Sequence, residues 1–140
     1  MFAPDSRFLV IDDSQGTRDL VRTALNQLKL KTLDEAANGR SGWDKIQKSV
    51  NENRPYALVF CDINMPEMDG LALLSSIRMD VRTRSIPVLI ITTEGDKPTV
   101  IKAVMSGVSG YMVKPFGVED VKRKVGEVFH RAQIHQGTGT

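Results

Sequence analysis

Phe8-Leu9-Val10-Ile11-Asp12-Asp13 decides the fold, because an apolar run ends abruptly in two carboxylates. Short apolar runs that are rich in β-branched residues and stopped by polar residues are typical of strands buried on both faces of a parallel sheet. Similar runs occupy residues 57–61, 87–91 and 111–113, and a weaker strand is expected over residues 30–36. The sequence therefore predicts five short strands.

Helical patterns separate these runs. The first is predicted from five apolar residues that fall on one helix face, namely Leu20, Val21, Ala24, Leu25 and Leu28. Further helices are predicted near residues 42–50, 70–79, 98–106 and 118–131, and Pro98 and Gly107 suit the start and the end of the fourth helix. This alternation predicts an α/β domain with a doubly wound parallel sheet, covered by helices on both faces.

Composition limits the class of protein. The chain has 140 residues, of which 41% are hydrophobic and 26% charged, and this profile is typical of one globular domain. We expect residues 1–132 to form that domain and residues 133–140, which carry little apolar surface, to form a disordered tail. The single cysteine, Cys61, excludes an intrachain disulfide and agrees with a reducing compartment.

Charge and hydropathy exclude several partners. The formal net charge of +2 is too small to indicate a nucleic acid. No segment approaches the roughly 20 apolar residues that a membrane-spanning helix needs, and the first apolar run is too short for an export signal. We therefore expect a cytoplasmic protein that contacts neither nucleic acid nor membrane.

Chemically active side chains follow the predicted strands. Asp12 and Asp13 follow the first strand, Asp62 the third, Thr92 the fourth and Lys114 the fifth. An aspartate after a strand is more often a helix cap or a turn residue, but ligands of an open parallel sheet bind at this edge. Converging carboxylates repel one another unless a cation is present, and Mg²⁺ prefers oxygen ligands. Together with a lysine and a threonine hydroxyl, they predict a magnesium-dependent phosphoryl site.

Four motifs in this order resemble the receiver domain of two-component response regulators, and most closely the stand-alone chemotaxis regulators of the CheY type. They are residues 8–13, 62–70, 91–92 and 110–116, and the resemblance covers residues 7–129. It implies the flavodoxin-like strand order 2-1-3-4-5, which the alternation alone does not specify. It also implies a single-domain signalling protein and not an enzyme.

The resemblance assigns roles to the strand-end residues. Asp62 is the expected phosphoacceptor, which attacks the phosphohistidine of a sensor histidine kinase of the CheA type. Asp12, Asp13 and Asp62 are expected to hold Mg²⁺ together with the backbone carbonyl of Asn64. Lys114 is expected to pair with the phosphoryl group and, before phosphorylation, with Asp62. The Lys114-Pro115 peptide bond is expected to be cis.

The resemblance also implies a switch and a docking face. Thr92 is expected to move toward the phosphoryl group while Tyr111 turns inward. Phosphorylation would thereby shift the face built by the fourth helix, the fifth strand and the fifth helix between two conformations. A half-buried tyrosine without a switching role is the alternative. The expected partner-binding residues are Val100, Val104, Tyr111, Lys122 and Lys124, although charged helix residues are more often simply solvated.

The leading hypothesis is therefore a monomeric response regulator that binds a flagellar motor switch protein, or another target, when it is phosphorylated. A dedicated phosphatase is a further possible partner. One alternative is a phosphorelay carrier that passes its phosphoryl group to a histidine phosphotransfer protein. Another is a magnesium-dependent aspartyl-phosphate phosphatase of the haloacid dehalogenase type. The haloacid dehalogenase alternative is disfavoured because Asn64 occupies the position where that class needs an acidic residue.

Overall fold

The sheet contains five parallel strands, which are β1 (Arg7–Ile11), β2 (Thr32–Ala36), β3 (Leu58–Cys61), β4 (Val88–Thr92) and β5 (Gly110–Val113). The computed structural model describes the backbone of residues 1–138 and the side chains of residues 1–132. Strand order is β2-β1-β3-β4-β5, and every neighbouring pair is parallel. The predicted strands and the order implied by the resemblance are confirmed. The weak strand is shorter than predicted and begins at Thr32.

The helices are α1 (Gln15–Gln27), α2 (Gly39–Asn51), α3 (Gly70–Met79), α4 (Lys97–Met105) and α5 (Val118–Thr138). Each of the first four has a polar N-cap residue whose side chain accepts a hydrogen bond from a backbone amide in the first turn of the helix. These N-cap residues are Ser14, Asn38, Asp69 and Asp96. The Asn38 cap explains why α2 begins before its predicted start at residue 42. None of the helices within residues 1–138 has the length and apolar character needed to cross a membrane.

Helix α5 continues beyond its predicted end at residue 131. The side chains of residues 133–140 and the backbone of residues 139–140 lie outside the described residues. The disordered tail over residues 133–140 therefore stays a prediction.

Alternation along the strands divides the core into two layers. Phe8 and Val10 pack with residues of α1 and α5, whereas Leu9 and Ile11 pack with residues of α2 and α3. Burial of a large apolar side chain contributes roughly 1.5–3 kcal/mol, so these layers supply most of the stabilisation. Helix α4 is the exception, because Ala103 is its one buried residue. The fold therefore holds α4 with much less apolar burial than the other helices.

Candidate functional site

Backbone pairing continues past the strand ends and fixes the predicted site residues. The Asp12 amide donates to the Ala36 carbonyl at 3.0 Å, and the Asp62 amide donates to the Ile11 carbonyl at 2.9 Å. The Lys114 amide donates to the Thr92 carbonyl at 2.7 Å. These residues are held by the sheet and not by mobile loops, which gives the site a defined geometry.

Three carboxylates meet at this edge. One oxygen from each of Asp12, Asp13 and Asp62 lies within 4.8 Å of the other two. Asp12 is 0% and Asp62 6% exposed, whereas Asp13 is exposed. The predicted acidic cluster is therefore assembled from two buried groups and one that faces solvent.

Lys114 bridges the two buried carboxylates. Its Nζ lies 2.7 Å from Oδ2 of Asp12 and 3.1 Å from Oδ2 of Asp62. The other oxygen of Asp12 accepts from the Ser14 amide at 2.8 Å, and that of Asp62 accepts from the Ile63 amide at 2.7 Å. The Lys114-Pro115 peptide bond is cis. The structure thus contains the expected pairing of Lys114 with Asp62 and adds a shorter one with Asp12.

Burial and charge perturb this cluster in opposite directions. Burial raises the pKa of Asp12 above its ordinary value, although hydrogen bonds from Lys114 and Ser14 act against the increase. Burial alone would lower the pKa of Lys114, but its hydrogen bonds to Asp12 and Asp62, together with the negative charge of both carboxylates, outweigh burial and raise that pKa. The ammonium therefore stays charged and partly neutralises the carboxylates.

The donor set fits a hard divalent cation. Three ionised carboxylates and one ammonium carry a formal charge of −2, so the cluster has negative charge that Lys114 leaves uncompensated. All its ligand atoms are oxygens, which suits Mg²⁺. The Asn64 side chain is exposed and donates to the Glu94 carboxylate at 2.7 Å. The role of its backbone carbonyl as a ligand stays a prediction.

Glu94 connects the expected switch residues. Its amide donates to the hydroxyl of the buried Thr92 at 3.3 Å, and its carbonyl accepts from the Tyr111 hydroxyl. With the Asn64 bond, this glutamate joins the loops after β3 and β4 to β5. Sequence reasoning did not assign it a role, although its position two residues after Thr92 was a usable signal.

Arg18 is a second residue that the sequence did not single out. One nitrogen of its guanidinium donates to the backbone carbonyl of Asp12, and Nε pairs with Glu35 at 2.9 Å. The residue lies near the N-terminus of α1, where the helix dipole disfavours a cation. A basic residue at that position therefore needs a nearby acceptor, and this was the available signal.

The glycine that begins α3 fixes the loop after β3. Its amide donates to the Ile63 carbonyl at 2.8 Å, and a Cβ at Gly70 would overlap the backbone carbonyl of Asp62. Glycine is therefore required for this loop to return so closely to Asp62.

The predicted docking residues do not all share one face. Val104 is 60% exposed on α4, and Val100 and Tyr111 beside it are half-buried. Lys122 instead donates to the side-chain carbonyl of Gln27 in α1 at 3.2 Å. Its role in partner binding, like that of the other four residues, stays a prediction. Lys124 follows it by two residues, and two residues correspond to about 200° around a helix. The two lysines therefore lie on opposite flanks of α5.

Comparisons with known proteins agree with this geometry. Residues 8–126 match the family model described as the response regulator receiver domain. The chain is 39% identical to the chemotaxis protein CheY1 of Helicobacter pylori over 119 residues, which cover 85% of this chain and 93% of the relative. It is 36% identical to the CheY homolog of Campylobacter jejuni over 122 residues, which cover 87% and 91%.

A solved structure gives the same result. The chemotaxis response regulator CheY4 of Vibrio cholerae superimposes with a TM-score of 0.78 at 28% sequence identity. The match covers 89% of this chain and 98% of that chain.

Proposed function

Because the chain belongs to the response regulator receiver family and is of the CheY type, we propose that it is phosphorylated on Asp62 and signals through phosphorylation-dependent binding. Receivers of this type are signalling proteins and not conventional enzymes. The observation that carries the proposal is the Lys114 ammonium, placed 2.7 Å and 3.1 Å from carboxylate oxygens of Asp12 and Asp62. A cation in that position can compensate charge on an incoming phosphoryl group.

Asp62 has one oxygen suited to attack. Its Oδ1 is occupied by the Ile63 amide, whereas Oδ2 faces Lys114. We infer that Oδ2 forms the new bond to phosphorus while the bond from phosphorus to the histidine nitrogen of the kinase breaks. The Lys114 ammonium then shifts from the carboxylate to a phosphoryl oxygen. The histidine leaves with the electron pair of the broken bond.

Mg²⁺ would be held by carboxylates of Asp12, Asp13 and Asp62 together with the Asn64 carbonyl. When bound, the ion supplies positive charge against the phosphoryl oxygens. Lys114 and the sheet-anchored carboxylates then need only modest movement to accept the phosphoryl group.

The signal is proposed to leave through α4 and β5. Thr92 and Tyr111 are linked through the backbone of Glu94, so movement of the Thr92 hydroxyl toward a phosphoryl group breaks or shifts one of these bonds. Helix α4 buries only Ala103 among its own residues and can therefore be displaced at low cost. The face that responds includes Val104 and two apolar residues that sequence reasoning omitted, Ile101 and Val113.

The proposed setting is cytoplasmic chemotaxis, with a CheA-like histidine kinase upstream and a flagellar motor switch protein downstream. The test measures binding of a fluorescent peptide from such a switch protein, with and without beryllofluoride as the phosphoryl mimic. We expect tighter binding with the mimic, and loss of that gain in Asp62→Asn. Equal binding in both states would refute the motor role. Phosphoryl transfer from the labelled chain to a histidine phosphotransfer protein would then favour a relay carrier.

A further inference from the structure

Asp62 lies at the carboxyl ends of the strands. The opposite side of the domain, at the amino ends of the strands, carries exposed apolar side chains that have no role in the proposed function. Met79 is 86%, Val81 71% and Met105 84% exposed. Met79 ends α3, Val81 lies just beyond it, and Met105 ends α4. Clustered apolar residues at a surface commonly mark an interaction site.

Arg78 holds the ends of α3 and α4 side by side. Its Nε donates to the Gly107 carbonyl at 2.9 Å, and its Nη1 donates to the carbonyls of Ile86 at 2.6 Å and Arg84 at 3.0 Å. Burial lowers the pKa of this guanidinium. No carboxylate within residues 1–132 forms an ion pair with it. Because Nη2 also donates to the Ser109 hydroxyl at 3.4 Å, each guanidinium nitrogen already has an acceptor. Arg78 therefore offers an anion its positive charge rather than paired hydrogen bonds.

A basic cleft is lined by Arg78 and Arg82, which adjoin Met79 and Val81 in sequence. It has a volume of about 1200 Å³ and opens at the amino ends of β3, β4 and β5. Four arginines line it, namely Arg78, Arg82, Arg84 and Arg131. Among the lining residues in the described part of the chain, none is acidic. The nearest compensation is the Asp80 carboxylate, 3.6 Å from Arg82.

We propose that this amino-edge surface, formed by Arg78, Arg82, Arg84, Met79, Val81 and Met105, docks an acidic segment of a partner protein that also carries large apolar side chains. Guanidinium groups bind carboxylates through paired hydrogen bonds. Methionine side chains adapt to apolar partners of different shape. The surface thus provides basic groups for the carboxylates of an amphipathic acidic segment and apolar side chains for its apolar residues.

Charge argues against a second copy of this chain. In a twofold dimer the same patch meets itself, and the arginines would face arginines across the interface. An acidic partner segment meets no such repulsion. The surface lies at the other end of the strands from Asp62, so docking there is expected to persist in Asp62→Asn.

The test uses a fluorescein-labelled synthetic peptide that presents leucine on one face of a helix and glutamate on the opposite face. Its binding is measured by fluorescence anisotropy. Arg82→Glu with Arg84→Glu is expected to weaken binding by at least about tenfold through charge repulsion. Met79→Ser with Met105→Ser is expected to weaken it severalfold. The matched control, Arg40→Glu with Arg123→Glu, makes the same charge change at two exposed arginines elsewhere and is expected to have under about twofold effect.

Several results would overturn the proposal. One is absence of binding up to about 1 mM peptide, and another is equal loss in the control variant. Equal binding of a peptide whose leucines are replaced by glutamine would indicate charge attraction alone. Tighter binding of a single-stranded oligonucleotide than of the peptide would assign the surface to nucleic acid. Self-association abolished by Met79→Ser with Met105→Ser would assign it to a second copy. Thermal unfolding of every variant verifies that the fold is intact.

Discussion

Replacing Lys114 with methionine tests the electrostatics of the site. The substitution keeps most of the aliphatic side chain but leaves the carboxylates of Asp12 and Asp62 without their shared cation. At 2.7 Å and an effective dielectric constant of about 20, one such contact has a gross attraction of roughly 6 kcal/mol. Desolvation of the ammonium offsets part of this attraction, and removal of one partner from a buried pair typically costs about 3–5 kcal/mol.

Lys114 is 18% exposed, which places the expected loss near the lower end, at about 3 kcal/mol in the absence of Mg²⁺. Mg²⁺ is expected to reduce that loss. Because the ion stabilises both proteins, each tenfold by which the variant binds it more tightly than the wild type recovers about 1.4 kcal/mol at saturating ion. The variant should bind the ion more tightly than the wild type, because no ammonium competes for the same oxygens.

Urea unfolding gives the free energy of unfolding directly, with the fluorescence of the single tryptophan, Trp43, as the signal. The matched control is Lys122→Met, which removes a surface pair with the exposed Glu119 and is expected to cost under about 1 kcal/mol. Equal losses in the two variants would show that the Lys114 pairs stabilise the fold no more than an exposed surface pair does. A Lys114→Met deficit that Mg²⁺ does not reduce would contradict the tighter binding of the ion expected for the variant.

Three further predictions follow from individual contacts. Asp13→Asn should weaken Mg²⁺ binding at least about tenfold by calorimetry while changing stability without the ion by under about 0.5 kcal/mol, since Asp13 is exposed; unchanged affinity would exclude it as a ligand. Hydrogen bonds from Arg22 and then Arg18 lower the pKa of Glu35, so its stabilisation is present above the ordinary value of 4.5 and is lost as pH falls below it. Glu35→Gln should therefore cost about 1 kcal/mol at pH 7 and progressively less in urea unfolding below pH 4.5, and a pH-independent deficit would contradict this assignment. Gly70→Ala should cost about 3 kcal/mol because its Cβ meets the Asp62 carbonyl, whereas Gly16→Ala, whose Cβ has space, should be neutral or stabilising.

The fold was largely predictable because strands buried on both faces need continuous apolar runs. Helix α1 began earlier than its apolar pattern, since its start depends on the Ser14 cap and not on a hydrophobic residue. The predicted range of β2 began two residues too early. Leu30 is buried by packing in the core, whereas strand pairing begins at Thr32.

For the site, the sequence predicted which residues lie at the carboxyl ends of the strands, but not all of the bonds that their side chains form. Strand ends alone brought Asp12, Asp62 and Lys114 together, but the double pairing of Lys114 depends on side-chain geometry. The sequence assigned no role to Glu94 or Arg18, because each bonds to a backbone group of a site residue, and such a partner is not identified by its residue type. The sequence alone also did not separate Lys122 from Lys124, whose positions on α5 differ by about 200° around the helix axis.

Covalent labelling can determine whether Asp62 accepts a phosphoryl group. The protein is incubated with acetyl phosphate and Mg²⁺, and intact mass is followed by borohydride trapping and site mapping. We predict a single phosphoryl adduct on Asp62 that is absent in Asp62→Asn and after Mg²⁺ is chelated. Failure of the adduct to form, or its persistence in Asp62→Asn, would show that Asp62 is not the phosphoacceptor.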